Sequence, residues 1–441
     1  MLERTFGLGA HGTSVRTEVL AGLTTFLTMA YIIVVNPAIL GQAGMPVAGV
    51  AAATCVAAGL GCLLMGLIAN YPLALAPGMG LNAYFTYTVV KDLGVPWETA
   101  LGCVFLSGAA FLVLTLTGVR QLIVGAIPRP LFAAVAGGVG LFIAFIGVKE
   151  AGIVVANPAT TVALGNLAAP TAIVSLAGLL LIAALQAFRI RAAILIGVVA
   201  TAVACWALGL AHPPTEAVSV SALSATAFRL DIPAALHLKG SLGLTLVEIV
   251  LVFLFVDLFD NVGTLVAVAK KADLIAADGA IPRLNRILLA DSLATMIGAA
   301  AGTSTVTSYI ESAAGVAAGG RTGLSSVVVG VLFLLALLVA PLIALIPTAA
   351  AAPALILVGA MMIGPVAEID WADPAIAIPA FLILIGIPLS FSIANGLGLG
   401  IVAYAVLRLA TGRAARRDWL VFVLAALFAA RFLWLAHSPT G

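Results

Sequence analysis

Charged side chains are scarce in this sequence of 441 residues, in which Asp, Glu, Lys and Arg together make up only 9%. A soluble globular protein carries about 25% charged residues, which it needs to cover a surface of this size. Hydrophobic residues make up 63% of the chain and the mean hydropathy is +1.24. Disorder is excluded by the same composition, because disordered chains are poor in apolar residues and rich in charge. We therefore interpret the sequence as a membrane protein with many spans.

Cysteine and histidine are also rare, and their positions exclude further classes of site. The four cysteines lie inside apolar runs without the spacing of a metal site: Cys55, Cys62, Cys103 and Cys205. The four histidines fall in polar connections or near the end of the chain, so we expect no histidine proton relay in the membrane. Since lysine and arginine form no basic stripe, we expect no nucleic-acid partner. We predict neither a metal nor a cofactor.

Long apolar runs, bounded by glycine, proline and charged residues, are what the sequence has in abundance. Seven precede the polar stretch 212–240, seven follow it, and one more lies at 418–436. The fourteen are 19–39, 47–69, 79–90, 97–117, 130–148, 171–188, 191–211, 242–269, 284–302, 306–318, 323–346, 350–366, 373–389 and 393–410. Because about 20 helical residues cross a bilayer, most of these runs are long enough to span it. Whether the fifteenth crosses or lies along the interface stays open.

Two of the runs, 79–90 and 306–318, are too short to cross a membrane as helices, and each is third in its group of seven. The first follows a stretch with two prolines and the second follows Gly-Thr-Ser-Thr. We predict that residues 72–77 and 302–305 are extended and antiparallel, with both short helices pointing their N-termini into one cavity. Broken segments at matching positions are typical of transporters with inverted repeats. The predicted fold is all-α, with fourteen transmembrane segments as a 7+7 inverted repeat.

The distribution of basic residues sets the predicted orientation, because cytoplasmic loops carry an excess of lysine and arginine. With the N-terminus in the cytoplasm, the outer connections hold four basic residues: Lys91, Lys149, Arg229 and Lys239. Arg431 lies in the last run, and the other fifteen fall in inner connections. This bias arises only if both short runs cross the membrane.

Carboxylates inside the apolar runs are few, and each is costly at membrane depth, by at least about 2.5 kcal/mol. Asp257 and Glu311 lie deepest, and we expect both to be functional. Asp260 shares a helix face with Asp257 and could instead form hydrogen bonds within the helix bundle. Glu248 and Asp291 lie near segment ends, where an interfacial or packing role is more common.

Asn82 lies in the other short run, after the glycines of Ala-Pro-Gly-Met-Gly-Leu-Asn. Its amide offers both a donor and an acceptor. An asparagine in a membrane helix often serves only to join helices. Its place in a broken segment favours a binding role here.

Three stretches together carry a specific resemblance: APGMGLNAYFTYTVV (76–90), FVDLFDNVGTLVAVAKKADL (255–274) and GTSTVTSYIESAAGVAAGGRTGL (302–324). They resemble the AzgA-like family of adenine/guanine/hypoxanthine permeases, within the wider nucleobase–cation symporters that include the bacterial uracil permease. The resemblance runs from residue 25 to about residue 411. The sequence departs from the family at Asn261, where threonine is more usual.

The resemblance implies a division into core and gate domains, and usually a homodimer. Residues 17–118 and 241–346 would form the core domain, 119–211 and 347–411 the gate domain, and 412–441 an extra C-terminal segment. It also implies substrate ligands at Asn82, Asp257 and Glu311, the last two also serving proton coupling. Supporting contacts are expected from six further residues: Phe26, Thr28, Gly80, Asp260, Ser308 and Tyr309.

The predicted function is a secondary active transporter, not an enzyme. It would import purine nucleobases into a bacterial cell across the cytoplasmic membrane, by proton symport with an elevator-like movement. A carrier of xanthine, uracil or a small anion on the same fold is the alternative. A channel or an intramembrane hydrolase using Ser308 and Glu311 is less well supported, since no histidine lies at depth to act as a base.

Overall fold

The computed structural model describes residues 2–118, 128–211, 220–238, 245–275, 281–338, 346–415 and 418–437, and these are mostly helical. The first helices are α1 (Leu2–Phe6), α2 (Val15–Met29), α3 (Ile32–Gly41), α4 (Val47–Leu64), α5 (Met79–Ala83), α6 (Trp97–Leu116), α7 (Arg129–Glu150), α8 (Pro170–Ala187) and α9 (Ala193–Ala207). The others are α10 (Ile232–Leu236), α11 (Thr245–Lys271), α12 (Leu284–Ala301), α13 (Ser312–Ala317), α14 (Gly323–Ala336), α15 (Thr348–Met361), α16 (Pro374–Leu389), α17 (Ile393–Ala410) and α18 (Trp419–His437). Short 3₁₀ turns occupy Val220–Ala225 and Gly364–Glu368.

Nine helices within the described ranges are long and apolar enough to cross a membrane. The prediction of a helical membrane protein with many spans is therefore confirmed, while the count of fourteen stays a prediction. Most apolar runs match a helix to within a few residues at each end. The start of the run 242–269 and the end of the run 323–346 lie outside the described residues.

The first predicted run, 19–39, contains a short turn. It lies within one apolar span, Val15–Gly41, in which α2 ends at Met29 and α3 begins at Ile32. The two residues at the break, Ala30 and Tyr31, are buried, so the discontinuity lies inside the protein.

The two broken segments meet through short strands, as predicted. β1 (Leu75–Pro77) pairs antiparallel with β4 (Val306–Ser308), with Leu75 opposite Ser308. Two more backbone hydrogen bonds extend the ladder, from Tyr309 N to Ala74 O at 3.0 Å and from Gly78 N to Thr305 O at 2.9 Å. These bonds satisfy backbone groups that water cannot reach at membrane depth.

The predicted bounds of the second break were wrong. We expected an extended stretch at 302–305 and a helix from 306, but Gly302 is a left-handed turn with a φ of +98° and the strand occupies 306–308. The helix α13 begins only at Ser312. β-branched residues at 303, 305, 306 and 307 favour extended backbone. After β1, α5 continues as π-helical turns over Tyr84–Asp92, so the helix predicted for 79–90 is confirmed.

Glycines let α4, and the π-helical turn Met65–Ala69 that follows it, pack against α14 with their backbones in contact. A Cβ atom on Gly66 would lie 2.5 Å from the carbonyl oxygen of Gly323. A Cβ atom on Gly330 would lie 2.7 Å from the carbonyl oxygen of Gly59. Small residues are enriched where membrane helices approach closely.

The chain forms two compact units. One consists of Met1–Leu116 and Ile146–Leu357 and contains both broken segments. It also carries an exposed hairpin that the sequence did not predict, β2 (Val154–Asn157) with β3 (Thr161–Leu164).

The other unit consists of Thr117–Phe145 and Val358–Gly441. In it the ring of Phe391 packs edge-on against Phe142, with centroids 5.2 Å apart. The core and gate domains stay a prediction, and their expected boundaries at 119 and 241 lie outside the described residues.

Candidate functional site

The three principal predicted residues lie on or beside three helices, of which α11 contacts the other two. Asn82 is in α5, directly after β1, Asp257 is in the middle of α11, and Glu311 immediately precedes α13. The helix α11 packs against α5, β4 and α13. Phe253, one turn before Asp257, packs its ring edge-on against Tyr84, with centroids 5.0 Å apart. The fold therefore brings α11 into contact with both broken segments.

Glu311 is half-buried and accepts a hydrogen bond of 2.5 Å at Oε1 from the hydroxyl of Tyr31. A hydroxyl bound to a carboxylate at this distance is a strong, charge-assisted contact. Among the described residues, no lysine or arginine forms an ion pair with Glu311. The carboxylate can therefore be neutralised by a proton or matched by an N–H donor of a ligand.

Sequence reasoning missed Tyr31. This tyrosine is fully buried at the break between α2 and α3. The available signal was a single tyrosine within an apolar run that also contains Asn36 and Pro37. A buried tyrosine usually finds a partner for its hydroxyl, and here the partner is one of the predicted ligands.

Asn82 is fully buried, and its Oδ1 accepts a hydrogen bond from the hydroxyl of Ser304. Its Nδ2 has no hydrogen-bond partner among the described residues. A buried donor left without a partner costs about 1–3 kcal/mol. A role limited to joining helices accounts for the oxygen of this amide and not for its nitrogen.

The helix α11 contributes a row of polar side chains. Asp257 is fully buried. Asp260 is half-buried and within electrostatic reach of Glu311. Asn261 is fully buried, and its Oδ1 accepts a hydrogen bond of 3.1 Å from the hydroxyl of Ser308. Ser308, predicted as a supporting residue, thus connects β4 to α11.

The remaining predicted supporting residues, Phe26, Thr28 and Gly80, pack within the helices near the candidate site. The ring of Phe26 packs edge-on against Phe333, with centroids 5.1 Å apart. The hydroxyl of Thr28 donates to the carbonyl of Thr25 at 2.8 Å, one turn earlier in its own helix. Gly80 is buried in α5.

Tyr309 holds the two strands together from the side. Its hydroxyl donates a hydrogen bond of 2.5 Å to the carbonyl of Pro77, and its ring is buried. Its contacts thus join the ends of β1 and β4.

Another buried carboxylate, Glu18, lies outside this group, and its burial was not predicted from the sequence. Its Oε1 accepts from the backbone N–H groups of Arg321 at 2.8 Å and Thr322 at 3.2 Å, and its Oε2 from that of Ser325 at 3.2 Å. These N–H groups precede or begin α14, where a helix leaves its first donors unpaired. Glu18 thus has a structural role that joins α2 to the start of α14.

Comparison with known sequences identifies the family. The model of a permease family matches residues 16–399. A putative permease of Methanocaldococcus jannaschii is 49% identical over 436 residues, which cover 99% of each chain. The adenine permease AdeP of Escherichia coli is 43% identical, covering 99% of this chain and 97% of its own. The guanine/hypoxanthine permease PbuG of Bacillus subtilis is 44% identical, covering 96% and 98%.

Comparison with solved structures supports the fold. The transmembrane domain of the cyanobacterial bicarbonate transporter BicA superposes with a TM-score of 0.60 at 14% identity, covering 93% of this chain and 97% of that domain. This likeness supports the predicted inverted-repeat fold, while the count of fourteen spans stays a prediction. The protein is a transporter and not an enzyme, since its relatives are permeases. The chain therefore belongs to the permease family, within the group of adenine and guanine/hypoxanthine permeases that its sequence resembles.

Proposed function

We propose that this permease imports purine nucleobases, with Asn82, Asp257 and Glu311 as substrate ligands. The proposal rests on the position of Glu311, which lies between the strand β4 and the helix α13 in a broken segment. Its carboxylate forms no ion pair with a described basic residue. A purine carries ring N–H groups and, in several bases, an amino group, which a carboxylate accepts well. The curated relatives named for adenine and for guanine/hypoxanthine support the same substrate class.

Uptake is coupled to protons in this proposal. A carboxyl group surrounded by apolar residues binds a proton more readily than one in water. Asp257 and Glu311 are the coupling groups, and Asp260 is the next candidate. One proton moved through 100 mV supplies about 2.3 kcal/mol, which supports roughly 50-fold accumulation of a neutral base.

Membrane location, orientation and oligomeric state are part of the proposed function. It lies in the bacterial cytoplasmic membrane with its N-terminus inside, in agreement with the distribution of basic residues. It forms a homodimer in the lipid bilayer, and its core domain carries the base across by an elevator-like movement against the gate domain.

Uptake of radiolabelled hypoxanthine and adenine tests the function directly. The chain is expressed in cells that lack their own purine permeases, and uptake is measured with and without a protonophore. We expect saturable uptake of at least one purine, and loss of accumulation when the protonophore is added. Purified protein in liposomes, with an imposed pH or sodium gradient, then separates the two ions. Uptake of uracil or bicarbonate without any purine uptake would overturn the proposal.

A further inference from the structure

Asn261, on α11, is fully buried, and only one of the two polar atoms of its side-chain amide has a hydrogen-bond partner among the described residues. The hydroxyl of Ser308 donates to its Oδ1 at 3.1 Å. Its Nδ2 has no hydrogen-bond partner among the described residues. Asn261 lies four residues after Asp257, and residues four apart share one face of a helix. Its amide is therefore on the face that carries a proposed substrate ligand.

In the structure, Ser308 binds the oxygen end of this amide. An asparagine side chain carries one acceptor and two N–H donors, and its two ends can exchange places by rotation. While the hydroxyl of Ser308 donates to Oδ1, the N–H groups remain to meet a ligand. Ser308 also lies only three residues before Glu311, whose carboxylate is an acceptor. The short stretch 308–311 thus orients one donor, the amide of Asn261, and supplies one acceptor.

We propose that Asn261 determines specificity by donating an N–H to the 6-oxo group of the base, so that the site selects 6-oxopurines over adenine. This inference rests on the proposed function and names the substrate class within it. In hypoxanthine and guanine, the 6-oxo acceptor lies beside the N1–H donor. The amide N–H meets the oxygen, and a carboxylate of the site accepts the neighbouring N1–H.

Adenine presents the opposite pattern at the same positions. Its 6-amino group carries two N–H donors, which face the N–H donors of Asn261, and its N1 is an acceptor that faces a carboxylate. A site built to form a hydrogen bond rejects a ligand that lacks the matching group, because its own buried group is left unpaired. Adenine is therefore disfavoured at both contacts in the orientation that fits hypoxanthine.

Competition binding on purified full-length protein tests the inference, with radiolabelled hypoxanthine displaced by unlabelled hypoxanthine or adenine. In the wild type, we expect hypoxanthine to bind at least about tenfold more tightly than adenine, as one hydrogen bond implies. Asn261→Leu retains the size of the side chain and removes both donor and acceptor. We expect it to weaken hypoxanthine binding about tenfold and adenine binding much less.

A second variant and a control keep the test decisive if Asn261→Leu does not fold. Ser308→Ala removes the donor that orients the amide, so we expect the ratio of adenine affinity to hypoxanthine affinity to rise. Asn166→Leu makes the same change in an exposed loop and should leave that ratio unchanged. An unchanged ratio in every folded variant of Asn261 or Ser308, or a wild type that prefers adenine, overturns the inference. A wild type that binds neither base counts against the proposed function instead.

Discussion

The hydroxyl of Tyr31 and the carboxylate of Glu311 are 2.5 Å apart, although 280 residues separate them in the sequence. Tyr31 lies at the break between α2 and α3, and Glu311 at the start of α13. One hydrogen bond thus joins two interruptions of helical structure. If Glu311 binds a proton or a base, as proposed, this bond changes, and we expect the change to reach the turn between α2 and α3.

Tyr31→Phe should weaken purine binding about tenfold while the protein remains folded. The ring still fills its place, but Glu311 loses a hydrogen bond worth about 1.5–3 kcal/mol to a charged group. Binding of hypoxanthine and the melting temperature in detergent are the measurements. Tyr309→Phe is the control, since it removes the bond to Pro77 and should lower stability more than affinity. Equal affinity in Tyr31→Phe and the wild type would contradict the assigned role.

Asp257→Asn and Glu311→Gln should separate coupling from binding. We expect Asp257→Asn to retain some purine binding and lose protonophore-sensitive accumulation, because the amide cannot carry the proton. Glu311→Gln should lose binding itself, since an acceptor for the N–H groups of the base becomes a mixed donor and acceptor. Counterflow in liposomes measures exchange without net proton movement. Proton-dependent accumulation in both variants would place the coupling elsewhere, with Asp260 next.

Asn82→Ala should weaken binding of every purine or change the preference among them, without removing the protein from the membrane. The variant removes a donor that no described residue uses. Ser304→Ala is the matched comparison, because it removes only the partner of Oδ1 and leaves the amide present. The measurement is uptake kinetics for a panel of bases, compared between Asn82→Ala, Ser304→Ala and the wild type. Normal kinetics in Asn82→Ala would exclude this residue from the site.

Glu18→Ala should lower the free energy of unfolding on the order of 3 kcal/mol, because three backbone N–H groups lose a buried charged acceptor. Thermal unfolding in detergent measures the effect. Glu3→Ala is a suitable control, since Glu3 accepts one backbone bond at 2.9 Å in an exposed position and should cost far less. A similar loss of stability in both variants would argue against the role of Glu18.

Gly66→Ala should prevent normal packing of the π-helical turn Met65–Ala69 against α14, because its new methyl group would overlap the carbonyl oxygen of Gly323 at 2.5 Å. Gly263→Ala makes the same change in α11, where a Cβ atom would have no neighbour within 4 Å. It should be neutral or stabilise the helix by up to about 1 kcal/mol. Yield and melting temperature compare the two. Equal behaviour of both variants would refute a tight contact at Gly66.

Composition and run length predicted most of the fold, because a helix in a membrane must be apolar over its whole length. The run 393–410 matches α17 at both ends. The strand pairing was also predictable, since the runs beside 72–77 and 302–305 were too short to span. The exact bounds of β4, 306–308, were not predictable, because Thr-Val-Thr-Ser is compatible with a strand or with a membrane helix. Pairing with β1 selects the strand.

The site was only partly predictable. Asp257, Glu311 and Asn82 stood out because polar groups in apolar runs are costly. Tyr31 and Ser304 did not stand out, since tyrosine and serine are common in membrane helices and their roles arise from partners far away in the sequence. Glu18 lay just outside the first apolar run, so burial could not be inferred for it. The roles of these residues depend on contacts between segments that are distant in the sequence, and one apolar run does not reveal such contacts.

The pairing of β1 with β4 has a consequence for the synthesis of the chain. The hydroxyl of Tyr309 and the carbonyl of Pro77 are separated by 232 residues, and the strands next to them pair across a similar distance. At about 5–20 residues per second, a ribosome needs roughly 10–50 s to make that stretch. During this interval the backbone of β1 has no strand partner, which lipid does not tolerate. We therefore expect β1 to reach its final backbone pairing only after Ser308, at the end of β4, has been synthesised.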